Sequence, residues 1–175
     1  MEVGVLVVFI VLMVFVWLFS IAACVLAFIA NWRIFRKAGV PGWMSIVPFL
    51  NVYKEYQIAW KPSIGVLVIV LAAVLGVTGG IVGGLGAVFG MENMMHSSRE
   101  VFSSDGMLIF FGVSELVMCM LAIPISVLDI IRTVKLGHSF NKSAGFIVGM
   151  VFLPLVFNMI LAFDNSTYIG PMSGD

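Results

Sequence analysis

The chain has 175 residues, 62% of them hydrophobic and only 10% charged, with a formal net charge of zero. Soluble domains carry about 25% charged residues, so a water-soluble globule and a nucleic-acid binder are excluded and lipid must be the solvent. The length allows about four spans with short loops and leaves no room for a separate globular domain.

The first apolar run, Val3 to Ala30, contains no charge. As a helix it reaches roughly 40 Å, more than the roughly 30 Å of a hydrocarbon core, so it must tilt or protrude. It has no basic leader and is too long for a cleaved signal peptide, so it is expected to persist as a helix. It ends in a basic, aromatic collar, Asn31 to Lys37.

Residues 43–61 read as a segment lying along the interface. Trp43, Ile46, Val47, Leu50 and Tyr53 form an apolar stripe at helical spacing. Pro48 interrupts it, which predicts two short pieces or a bent hairpin.

Three more runs follow, at 64–89, 107–127 and 144–163, with Pro124 near the end of the third span. They are continuous rather than alternating, which rules out a β-barrel. The predicted fold is all-α: one integral membrane domain over 1–175, a helical bundle of four transmembrane helices with an interfacial segment after the first. Span three is expected to extend as a helix through Ile130, Ile131 and Val134 and to stop at Gly137. The loop 91–106 and the tail 165–175 read as the mobile or loosely docked parts.

Eight of the nine Lys and Arg residues fall on one side of these runs. Arg33, Arg36, Lys37, Lys54 and Lys61 lie between spans one and two, and Arg132, Lys135 and Lys142 lie between spans three and four. Only Arg99 lies in the other connection. Basic loops stay cytoplasmic, which predicts a multi-pass plasma-membrane protein with both termini extracytoplasmic. Trp32, Trp43, Tyr53, Tyr56 and Trp60 sit at the same boundary, as an aromatic belt should.

A faint repeat relates the halves: Gly42-Trp43 with Pro48 and Asn51, then Gly145-Phe146 with Pro154 and Asn158. Cys24 and Cys119 fall inside apolar runs and are expected to pack as small core hydrophobes rather than form a disulfide.

Glu115 is the acid well inside a span. A charge there is costly, so it is expected to face the protein interior. Beside Ser114, and with Asn158 as a distant polar candidate, it reads either as an ion or substrate contact or as a carboxyl bonded to a neighbouring helix. Ala72, Gly76, Gly80 and Gly84 repeat every four residues, a register that lets helices approach closely. Among the twelve methionines, Met91, Met94 and Met95 lie beside His96, and Met118 and Met120 flank Cys119. Such soft ligands suit Cu(I), although methionine also simply fills apolar positions. No metalloprotease motif, phosphate-binding loop or nucleophile elbow occurs, and no cofactor is expected.

Two stretches carry a resemblance. One runs from Lys37 through Pro41-Gly42-Trp43, Pro48 and Asn51 to Pro62. The other runs from Leu136 through Lys142-Ser143, Gly145-Phe146 and Pro154 to Tyr168. Together they resemble an uncharacterised family of small bacterial and archaeal multi-pass membrane proteins, some of which bear the name of, or are joined to, type I signal peptidase. The resemblance implies a bacterial or archaeal plasma-membrane protein and adds no catalytic residues. In that family glycine is expected where this chain has Asn141. The peptidase domain with its Ser-Lys pair is absent.

The functional expectation is a non-enzymatic accessory or interaction subunit, partnered by the bilayer and by itself or another membrane protein. The alternative is a small transporter or channel that uses Glu115, with Cu(I) as one substrate.

Overall fold

The computed structural model describes residues 3–95 and 104–172, with side chains for 4–88 and 109–172. Among the described residues six helices follow in chain order: α1 (Val3–Lys37), α2 (Pro48–Ala59), α3 (Pro62–Met95), α4 (Ser104–Ser139), α5 (Ala144–Phe152) and α6 (Pro154–Phe163), with a 3-10 turn at Gly42–Ser45. No strand occurs among the described residues. Three of these helices, α1, α3 and α4, are long and apolar enough to cross a membrane. The chain divides into two compact units, Met1–Gly65 with Arg132–Asp175, and Val66–Ile131.

In the first unit α1 begins as a bare arm. From Gly4 to Ile29 every residue but Ala23 is exposed, as an unbroken apolar sequence permits when lipid replaces water. The helix continues through the basic collar. There Ala30, Ile34 and Phe35 fall on one face and enter a core with Ile58, Ala59, Leu136, Phe140, Met150, Leu161 and Ala162. α1 packs along α6, and the 3-10 turn packs on both α1 and α2.

The ends of α1 and α4 are set by the same device. Gly39 adopts φ +76°, and the N–H groups of Gly39 and Val40 donate back to Arg36 and Phe35 at 3.2 and 2.9 Å. After α4, Asn141 adopts φ +52°, and the N–H groups of Asn141 and Lys142 donate to His138 and Gly137 at 2.9 and 3.0 Å. Both are Schellman ends with a left-handed residue just past the helix. Asparagine tolerates that conformation better than other non-glycine residues, so the turn survives without the expected glycine. Gly137 does not stop α4. It lies inside the last turn, where an added Cβ would run into Ile147.

Residues 43–61, expected to lie along the interface, form two pieces, as Pro48 requires. Pro48 starts α2, where its missing N–H costs nothing. The fourth apolar run departs from the sequence expectation. It is two helices of nine and ten residues, each roughly 15 Å long and so about half a hydrocarbon core. Leu153, at φ −131° and ψ 61°, leaves the helical region, and Pro154 restarts it. The run then folds back on itself. The Phe146 and Phe157 rings meet edge to face at 5.1 Å. Gly149 lies so close to the Phe157 ring that no Cβ fits. Lys142, before α5, forms an ion pair with Asp164, after α6, so the two ends of the run lie together.

The tail is docked as far as Met172. The N–H groups of Ile169 and Met172 donate to the carbonyls of Ser139 and Ala59 at 2.9 and 3.1 Å, and the Tyr168 hydroxyl donates to Ile58 O at 2.8 Å. These bonds occupy end carbonyls of α2 and α4 that their helices leave free.

The second unit pairs α3 with α4. Leu71, Leu75, Thr78, Gly79, Val82 and Gly86 are half-buried along α3. Phe110, Ser114, Met118, Leu121, Ile125 and Leu128 are half-buried along α4. The Thr78 hydroxyl lies 3.5 Å from Met118 Sδ, and a Cβ at Gly79 or Gly86 would stand 3.0 Å from Met118 or Phe111. Residues ascending α3 meet residues descending α4, so the pair is antiparallel.

Candidate functional site

The polar residues of the first unit collect around two acids that flank the apolar runs. Asp164 takes Lys37 on Oδ1 at 2.8 Å, Lys142 on Oδ2, and the Ser166 hydroxyl on Oδ1 at 2.6 Å. Lys37 also donates to the carbonyls of Leu161 and Asp164 at 2.6 and 2.7 Å. Its ammonium therefore closes the C-terminus of α6, where a cation is favoured by the helix dipole. Burial alone would raise the Asp164 carboxyl. The bonds from Lys142, Lys37 and Ser166 outweigh it and hold the group well below the usual carboxylate range.

Glu55 forms the second clamp. It accepts from Asn31 of α1 at 2.9 Å and from Arg132 of α4 at 2.5 Å. In the same unit cations lie over aromatic faces. Arg132 is 5.9 Å from the Tyr56 ring centroid, Lys135 is 4.8 Å from that of Trp60, and Arg33 is 4.0 Å from that of Phe163. Lys135 also donates to Met172 O at 2.8 Å. Cations that sequence reading assigns to topology are thus also structural bolts. The acids they hold were missed. Nothing local in the sequence marks them: Glu55 lies inside α2 and Asp164 just past the end of α6.

The family-like residues all fall in this unit. Gly42 is buried under the Trp32 indole, where an added Cβ would come within 2.6 Å of the ring. Pro41 and Trp43 are exposed beside it, Pro48 starts α2, and Ser143 precedes α5. Lys142 and Tyr168 act as described above. Asn51 and Asn158, matched in the faint repeat, each have a buried Oδ1 with no hydrogen-bond partner.

The intramembrane candidates fall in different units. Glu115 and Ser114 belong to the second unit and Asn158 to the first. Glu115 does not face the interior: its side chain is exposed on α4, one residue away from the line that packs on α3. Its close neighbour is Cys119 Sγ at 4.0 Å, one turn along. Ser114 turns its hydroxyl to Phe111 O at 2.8 Å. The glycine register splits. Gly79 and Gly86 pack against α4, whereas Ala72, Gly76, Gly80 and Gly84 are exposed, with open space around the three glycines.

Cys24 and Cys119 are both free and exposed rather than packed, because apolar side chains in lipid need no protein cover. Met118 turns onto α3 while Met120 is 75% exposed, so these two thioethers do not share a site. Met91, Met94 and Met95 have no described side chains, and His96 lies outside the described residues, as does most of the loop around it. No group of three or more His, Cys, Asp or Glu placed to hold a metal occurs among the described residues.

Residues 102–171 match a family model described as Family of unknown function (DUF5684). The match begins just before α4, runs through the α5–α6 hairpin and ends in the docked tail. It covers less than half of the chain and includes Glu115, Lys142 and Asp164, but not the Pro41–Asn51 stretch. No curated protein and no solved structure matches the chain. The three long apolar helices are compatible with a multi-pass membrane protein, and the family that residues 102–171 resemble is of unknown function.

Proposed function

We propose that this chain is a non-enzymatic interaction subunit of the membrane that seats another transmembrane helix on the Glu115 face of α4. One observation carries this reading. Glu115 lies within a helix long and apolar enough to cross a membrane, yet its carboxyl is exposed on the chain's own surface. A carboxyl left in hydrocarbon costs several kcal/mol on the order of the insertion scales, and a polar group from a neighbouring helix removes that cost. The open stripe of Gly76, Gly80 and Gly84 supports the same reading, since small residues let a second helix approach. A second copy of this chain is the first partner to test.

Cys119 provides the experiment, being exposed one turn from Glu115. Mild oxidation of the full chain in native membranes should trap a disulfide-linked dimer through Cys119. Cys119→Ser should abolish it and Glu115→Leu should weaken it. A chain that stays monomeric at every density, with Glu115→Leu equally stable and equally abundant in the membrane, contradicts the reading.

Transport through such an assembly is the second reading, favoured by the same outward carboxyl. Ion flux into liposomes that Glu115→Gln abolishes would select it.

We also infer the topology. The basic side is cytoplasmic by the positive-inside rule. α1, α3 and α4 cross, and α5–α6 enters and returns on that side. The pairing of Lys142 with Asp164 supports this hairpin. The N-terminus is then outside and the C-terminus inside, in contrast to the four-span expectation. A bacterial or archaeal plasma membrane is the setting the sequence resemblance suggests.

A further inference from the structure

Arg33 and Arg36 stand apart from the other cations of the first unit. Lys37, Lys142 and Arg132 are held by carboxylates, and Lys135 is held by a carbonyl and a ring. Arg33 lies over the Phe163 ring, and neither Arg33 nor Arg36 forms an ion pair with a carboxylate among the described residues. Three residues apart on α1, they project to neighbouring positions on the helix surface, and both are exposed.

They border one amphiphilic cleft of about 300 Å³, whose walls are Phe28, Ile29, Trp32, Arg33, Arg36 and Ile46. One end of it is two guanidinium forks and the other is aliphatic and aromatic. A second cleft, of about 310 Å³, adjoins it through the same two arginines, and a third, of about 480 Å³, through Trp32 and Arg36. The apolar wall at Phe28 and Ile29 continues into the bare arm of α1, whose side chains are exposed as far as Gly4.

We propose that this cleft binds an anionic phospholipid, with the headgroup phosphate on Arg33 and Arg36 and an acyl chain along Phe28, Ile29 and Ile46. The charge is complementary, since guanidinium forks suit phosphate oxygens and bind them in pairs. The shape is complementary too. A soluble phosphate would use the arginines and leave the apolar wall bare, whereas a lipid uses both and reaches the cleft from the bilayer. The position is that of an interfacial collar, where basic residues and tryptophan meet headgroups. Gly42 belongs to the same design, because its missing side chain leaves room for the Trp32 indole, which lines the cleft with the arginines.

Trp32 makes the site readable. The full chain carrying Trp17→Phe, Trp43→Phe and Trp60→Phe leaves Trp32 as the only tryptophan. It is reconstituted in phosphatidylcholine vesicles containing one-fifth phosphatidylglycerol, with the acyl-chain bromine on either the anionic or the neutral lipid. At equal bromine content, quenching by the brominated phosphatidylglycerol should report an anionic-to-neutral lipid ratio beside Trp32 roughly fivefold or more above the bulk ratio, the factor that about 1 kcal/mol per basic residue near the surface represents. Arg33→Gln with Arg36→Gln should erase the preference. Lys54→Gln with Lys61→Gln removes the same charge from the same side and should leave it intact. Equal quenching by the two lipids in the otherwise native chain overturns the site, whatever the variants do. A preference lost equally in both double variants overturns it in favour of a diffuse surface potential. Inorganic phosphate at millimolar concentration should not relieve the quenching, and relief would show that the arginines take a free anion instead.

Discussion

The two compact units solve the problem of polar groups in lipid in opposite ways. In the first, Asp164 and Glu55 are each held by groups from other parts of the same unit, and the ends of α2, α4 and α6 are capped by Met172, Ile169 and Lys37. In the second, a glycine-rich helix packs on one partner through a single face, and the acid within the span is turned away. The first unit holds both of these acids with its own cations, whereas the second presents a charge and an open stripe of small residues. The difference suggests a division of labour, with one unit setting position at the interface and the other offering a surface for assembly. Substitutions of similar chemistry should therefore act on stability in one unit and on association in the other.

The largest loss of stability is expected at Asp164. Replacing it with asparagine leaves two ammonium groups without their carboxylate. A fully buried pair broken this way costs roughly 3–5 kcal/mol. These groups are about one-fifth exposed, and screening lowers the expected loss to about 2–3 kcal/mol. Unfolding in mixed micelles measures it, and Glu115→Gln in the same assay should change the monomer's stability little. The pH dependence has a definite sign. The Asp164 carboxyl is lowered in the fold from its usual 3.8. Its contribution is therefore complete above that value and disappears as pH falls below it toward the lower folded value. Asp164→Asn should remove this acid limb.

The next effect belongs to the hairpin. Gly149→Leu must displace the Phe157 ring, and overpacking of this kind costs about 1–3 kcal/mol. Phe157→Leu in the same chain should recover part of the loss, because it removes the ring that the new side chain meets. No recovery would mean that the close approach of α5 to α6 is not what limits residue 149.

Two smaller effects sharpen the contrast. Asn141→Gly should stabilise the first unit by about 0.5–1 kcal/mol, because glycine adopts a positive φ without a steric penalty. Gly80→Ala in the second unit should be neutral or gain up to about 1 kcal/mol for the monomer, since open space surrounds the site, while lowering the yield of the Cys119-linked dimer. A clear loss of monomer stability at Gly80 would place it in an intrachain contact and weaken the division between the units.

These differences explain what could be read from the sequence. The three long spans were legible because an uninterrupted apolar run in lipid has few alternatives to a helix. The break at Pro48 and the helical extension beyond residue 127 were legible for similarly local reasons. Residues 144–163 were misread because hydropathy reports solvent and not direction. The fold-back depends on Leu153 leaving the helix and on a ring fitting over Gly149, which are tertiary facts carried by single residues. The helix end at Gly137 was misplaced because glycine served close packing there, while Asn141 supplied the positive φ. The clamps were hidden because Lys37 and Lys142 looked sufficient as topology signals, and Tyr168 gave no hint that it anchors the tail. Glu115 was located correctly along its helix, but its face could not be fixed without knowing which residues of α4 meet α3.

Cysteine accessibility tests the account most directly. In a chain carrying Cys24→Ser and Cys119→Ser, single cysteines are introduced at residues 39, 141 and 170 and exposed to a membrane-impermeant maleimide in intact cells and in inverted vesicles. The last apolar run, folded back as a hairpin, predicts that all three react only in inverted vesicles. Labelling of residue 170 in intact cells, with 39 and 141 still protected, would mean that the run crosses the bilayer, and the hairpin account would be wrong.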